Sequence, residues 1–123
     1  MLLELKTPQI MPEMKEARIE TVYARAGQAL KVGDRILDVS IDLGSAFQQN
    51  CPPISYYRLV AREKGWLREL NAAPGDLRAA GDVLARVSTE PDEPVDAPAD
   101  RPLRLATAGI LGHPMMWSAK PRP

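Results

Sequence analysis

A chain of 123 residues is long enough for one domain with a modest core and too short for two ordinary ones. Its 16 basic and 16 acidic residues cancel, so no strong field draws it toward nucleic acid or an anionic membrane surface. The single cysteine excludes an internal disulfide and suits a reducing, cytoplasmic setting, and the opening MLLELKTPQIMPEM lacks the basic start and long apolar run of a signal peptide or membrane span.

In chain order, the first expected strand is Leu2 to Lys6, and the second is Ile19 to Tyr23. Lys31-Val32-Gly33-Asp34 then suits a tight turn with positive φ at the glycine. Residues 35–43 follow, where Leu37, Val39, Ile41 and Leu43 alternate with Asp38, Ser40 and Asp42, the period of a half-buried strand. Further strands are expected at 56–61 and at Trp66 to Leu70. The turn recurs as Ala79-Ala80-Gly81-Asp82, ahead of a strand from Val83 to Val87. A helix over 76–87 competes, because alanine, leucine and arginine favour one, but Gly81 in its middle costs about 1 kcal/mol relative to alanine. About eight short strands with glycine punctuation and no long helix indicate an all-β sandwich or barrel.

Residues 17–40 and 65–88 are two copies of one pattern. A shift of 48 places Ala24 on Ala72, Gly27 on Gly75, Gly33-Asp34 on Gly81-Asp82 and Val39-Ser40 on Val87-Ser88. Ile19, Val22 and Ile36 fall on Leu67, Leu70 and Leu84. A repeat of this kind is a unit that buries its apolar face against its copy. The connection between the copies, 41–64, is where such a protein displays something.

From Glu90 onward the text turns to PDEPVDAPADRP, with almost nothing to bury, and reads as a stiff linker into a disordered tail. The domain boundary therefore falls at 1–89 against 90–123. Within the tail, Leu103, Leu105, Ile110, Leu111, Met115, Met116 and Trp117 make a short apolar patch, either a frayed terminus touching its own domain or a docking segment.

Over roughly residues 3–89 the chain resembles the lipoyl and biotinyl carrier domains, such as those of the acyltransferase subunits of 2-oxo acid dehydrogenase complexes. Pro8, Ile10, Met14, Glu16, Ala17 and Ile19 are similar to the family's opening pattern. Gly27, Val32, Gly33, Asp34 and Val39 resemble its "G…V…GD…L…V" run, and GWLRELNAAPGDLRAAGDVLARV its closing run. The resemblance implies a flattened β-barrel of two four-stranded sheets related by a pseudo-two-fold axis, the lipoyl-like barrel-sandwich hybrid. It also implies a lysine at the tip of the hairpin between the halves, whose amine forms the amide to lipoate or biotin so that the cofactor supplies the chemistry.

In this chain Asp42 matches the family's aspartate, but Leu43 stands at the lysine position and has no nucleophile. Between Val39 and Gly65 the chain carries about eleven residues more than a typical member, an insertion that hairpin loops tolerate. The hairpin, at about 41–58, is then longer, with its tip moved to Gln48-Gln49-Asn50-Cys51-Pro52-Pro53 and no lysine anywhere from 32 to 63. The resulting expectation is a non-catalytic binding or assembly module with no cofactor and a protein partner. Phe47, Cys51, Tyr56 and Tyr57 mark its interaction hairpin, and a homodimer through an open sheet edge is compatible.

The alternatives are a carrier modified at Lys64 or Lys31, or an efflux-type adaptor on the same fold. Against the adaptor, 44–55 is short and holds two prolines, which break helices. His113, the one histidine, has no evident partner, and one cysteine with one histidine gives no metal-ligand spacing. Cys51 has no adjacent base or cation to lower its pKa. Tyr56, Tyr57 and Trp66 suit pleated, half-buried positions as well as a ligand-stacking surface.

Overall fold

The structure is a computed structural model and describes residues 1–42 and 54–110. These residues form ten strands and no helix: β1 (Leu2–Lys6), β2 (Glu16–Val22), β3 (Ala29–Leu30), β4 (Arg35–Asp42), β5 (Ile54–Ala61), β6 (Gly65–Leu70), β7 (Leu77–Ala79), β8 (Val83–Ser88), β9 (Arg101–Pro102) and β10 (Leu105–Gly109). The segment where a helix competed is β7, a turn and β8, as expected from Gly81, whose φ is 93°. No helix among the described residues is long and apolar enough to cross a membrane.

Two open sheets of five strands stack on one core, in the orders β3-β6-β8-β1-β9 and β10-β5-β4-β2-β7. The core takes alternate residues from both: Leu3 and Leu5 of β1, Leu67 of β6 and Val87 of β8 meet Ile19 of β2, Leu37, Val39 and Ile41 of β4 and Leu59 of β5, all at most 1% exposed. Burial of such side chains stabilises by about 1.5–3 kcal/mol each, so this interior is the main favourable term holding the sheets together.

The two halves make the same turns. Gly27 and Gly75 have φ of 93° and 96°, and each donates at 2.7 Å to the carbonyl of the other half, Leu67 and Ile19. Gly33 and Gly81 donate at 2.8 Å to Ala61 and Thr7. Asp34 and Asp82 close these turns by accepting at their Oδ2 from the amides of Lys31 and Ala79. Strand order follows suit: adding four to β3-β6-β8-β1, counted cyclically over the first eight strands, gives β7-β2-β4-β5, which is the second sheet without β10.

Two expectations are corrected. The sheets have five strands and are not closed into a barrel, where two four-stranded sheets of a flattened barrel were expected. The extra strands come from the stretch expected to be a linker and tail. β9 pairs parallel to β1 through Leu3↔Arg101 and Glu4↔Pro102, and β10 pairs antiparallel to β5.

Composition misled because the linker is held through its main chain. Arg68 donates to the Glu93 carbonyl at 2.5 Å, and Arg86 donates to the carbonyls of Val95 and of Ala97, the latter at 2.7 Å. Asp100 then joins β1 by accepting from the Leu2 amide at 2.8 Å and donating its own amide to the Leu2 carbonyl at 2.7 Å.

Glu63, between β5 and β6, fixes both added strands. It accepts from both terminal nitrogens of Arg101 at 2.7 and 2.8 Å and from the Arg104 amide at 2.8 Å. These bonds, the Arg101 guanidinium foremost, lower its carboxyl from the ordinary 4.5 to about 2. Because the folded value is depressed, the contribution is complete above about pH 4.5 and disappears as pH falls toward 2. Urea unfolding of wild type and Glu63→Gln should therefore differ at pH 7 and converge near pH 2. A gap that persists to the lowest pH would mean that the carboxylate charge is not what holds these strands.

Candidate functional site

The hairpin β4–β5 connects the two halves. Its register runs from Asp42↔Ile54 through Ser40↔Tyr56 and Val39↔Tyr57 to Asp38↔Arg58. Leu43, Phe47, Cys51 and the expected tip 48–53 lie outside the described residues, as does His113. Of the proposed interaction hairpin, Tyr56 and Tyr57 are placed, and they face opposite sides of the sheet. Successive strand residues face opposite ways, so Tyr56 lines the outer face of the sheet, 5% exposed, while Tyr57 packs on the core. Trp66 is half-buried in β6, across from Ala29.

The outer face of β2, β4 and β5 carries a concavity of about 470 Å³ lined by Glu16, Arg18, Glu20, Ser40, Asp42, Ile54, Tyr56 and Leu77. Strand alternation brings these residues to one side: Glu16, Arg18 and Glu20 are every second residue of β2, and Ser40 and Asp42 are every second residue of β4. The Ser40 hydroxyl donates to Glu20 Oε2 at 2.6 Å. Burial, with the Glu20 carboxylate nearby, raises the Tyr56 phenol above its ordinary pKa, so it stays a neutral donor at physiological pH. Three carboxylates and one guanidinium line it beside Ile54, Tyr56 and Leu77, so the surface offers acidic and apolar contacts together.

Further along the same face lies a closed polar cluster. Asp38 is 2% exposed. Its Oδ1 accepts from Arg58 Nε at 2.9 Å, and its Oδ2 accepts from the Arg58 guanidinium at 3.2 Å and from the Tyr23 hydroxyl at 2.6 Å. The hydrogen bond to Asp38 is the main cause raising the Tyr23 phenol, and the same carboxylate raises the Arg58 guanidinium. Arg35 stacks on the Tyr23 ring, 4.9 Å from its centroid. Both oxygens of Asp38 are engaged, and the cluster ties β4 and β5 to Tyr23 across the face.

Lys31 and Lys64, the alternative acceptors, are both exposed. Lys31 belongs to the turn whose Gly33 bonds to Ala61, and Lys64 precedes β6, so both sit at the end of β5 away from the hairpin tip. The eight residues of β5 place them roughly 26 Å from the start of that loop. Among the described residues, no group of three or more His, Cys, Asp or Glu side chains is placed to hold a metal ion.

Sequence reasoning named Asp38 only as an alternating strand residue and passed over Tyr23, Arg58 and Glu20. The available signal was Arg58 itself, a charge in the middle of the apolar run Tyr57–Ala61. Comparison of the chain with family models, curated proteins and solved structures found no match.

Proposed function

We propose that this chain is a non-catalytic binding or assembly module on a lipoyl-like scaffold that lacks the cofactor-attachment lysine. The observation that carries the reading is the strand order, in which the first eight strands exchange sheets on a shift of four. That order supports the two-fold organisation implied by the family resemblance, and the matched glycine turns, 48 residues apart, support it in detail. Under this organisation the hairpin β4–β5 is the place for a carrier's lysine. The eleven residues between Asp42 and Ile54 include no lysine, so no acyl amide forms there. A scaffold alone does not fix an activity, and what remains is a polar outer face running into a lengthened hairpin, a surface for a protein partner.

The remoteness of Lys31 and Lys64 from this hairpin weighs against a carrier modified elsewhere. Intact mass spectrometry of the protein from cells supplied with lipoate and biotin should give the mass of the bare chain. A gain of one lipoyl or biotinyl group would assign it to the carriers instead.

A further inference from the structure

The sheet edges are protected in every case but one. β3 and β9 have two residues each, and β9 ends in Pro102. β7 has three, with Arg78 folded back onto the carbonyls of Asn71 and Val83. β10 is five residues long, Leu-Ala-Thr-Ala-Gly, with no charge and no proline, and no described residue pairs with its outer side. Edges of this kind are templates for another strand.

The hydrogen bonds fix which groups face out. β10 runs against β5 with Ala106↔Val60 and Ala108↔Arg58, and in this register the Arg62 amide donates to the Arg104 carbonyl and the Ile110 amide to the Tyr56 carbonyl. Even-numbered residues of β10 therefore spend their main-chain groups on β5, and Leu105, Thr107 and Gly109 point theirs away from it.

We infer that β10 pairs antiparallel with β10 of a second copy about a two-fold axis at Thr107, joining two five-stranded sheets into one. The outward groups match themselves in this register: Thr107 exchanges both bonds with its symmetry mate, and Leu105 exchanges both with Gly109 of the other copy. The side chains match as well. On the core side Leu105 lies over the mate's Gly109, which has no side chain of its own and leaves the neighbouring Tyr57 ring for the leucine to pack on, and Thr107 meets Thr107, a favourable cross-strand pair. On the outer side Ala106 meets Ala108. The zero net charge of the chain leaves no overall repulsion between copies, and this self-matching about one residue favours a second copy over an unrelated strand.

Light scattering and native mass spectrometry of the full chain test this directly. The wild type should be a dimer. Thr107→Pro removes an amide that faces outward and leaves the bonds to β5 in place; losing one such bond per copy should weaken the dimer roughly thirtyfold. Thr107→Lys and Thr107→Glu place like charges face to face on the axis and should each be monomeric, whereas mixing the two should restore a dimer containing one of each. Circular dichroism confirms that each variant is folded. A wild-type monomer, a dimer indifferent to Thr107→Pro, or no heterodimer from the folded charge variants would each overturn the proposal, the first leaving the edge to a strand from another protein.

Discussion

Replacing Arg58 with alanine should lower the unfolding free energy by about 2–3 kcal/mol, several times the worth of a surface ion pair. The asymmetry of the pair sets the size. Arg58 is 30% exposed but Asp38 only 2%, so the variant leaves a buried carboxylate on the outer face with the Tyr23 hydroxyl as its remaining partner in the cluster. The cost is that of stranding a buried charge, and the partial exposure of the arginine, which admits some water, keeps it toward the lower end. The same logic predicts partial recovery. Replacing both members, Asp38→Leu with Arg58→Met, removes the stranded charge and should return much of the loss. Urea titration of wild type, single and double variants measures both effects. A single variant within about 0.5 kcal/mol of wild type would place the pair among ordinary surface bridges.

Gly65→Ala should cost about 1–3 kcal/mol, through overpacking. A Cβ at this position would lie 2.5 Å from Val87 Cγ1 and 3.1 Å from the Ser88 carbonyl oxygen. Val87 is wholly buried in the core, so neither neighbour has room to withdraw. This glycine is required for close approach, unlike the four turn glycines, which face open space and serve by their positive φ. Trimming the neighbour supplies the check. If the clash with the valine methyl is the cause, Val87→Ala and Gly65→Ala together should cost less than the sum of the two alone. Strict additivity would assign the effect to the backbone instead.

Much of the fold was legible because it is written in two local codes. Alternation gives β4 its buried Leu37, Val39 and Ile41, and glycine-aspartate pairs give the turns at Gly33 and Gly81. The repeat extends both codes to the second half. β10 was not legible because Ala106, Thr107, Ala108 and Gly109 carry neither alternation nor bulk, and its place depends on Glu63 holding Arg101 and Arg104.

The linker failed for a related reason. Its own side chains say little, and the arginines that hold it, Arg68 and Arg86, belong to strands far away in sequence. The buried cluster needed one more fact, the register of the hairpin. Asp38 stands across from Arg58 only if the loop between β4 and β5 has the length it has, and alternation on each strand does not specify that offset.

The pairing of β1 with β8, Leu2 against Ser88, has a kinetic consequence. β1 has no neighbour in its sheet until more than eighty further residues have been made, and its other neighbour, β9, is later still. Closing so long a loop before β1 gains its first partner places this chain among the slow folders of its size, in roughly milliseconds to seconds. Until then the apolar β1 waits unpaired, while β2, β4 and β5, close in sequence and adjacent in their own sheet, can pair first.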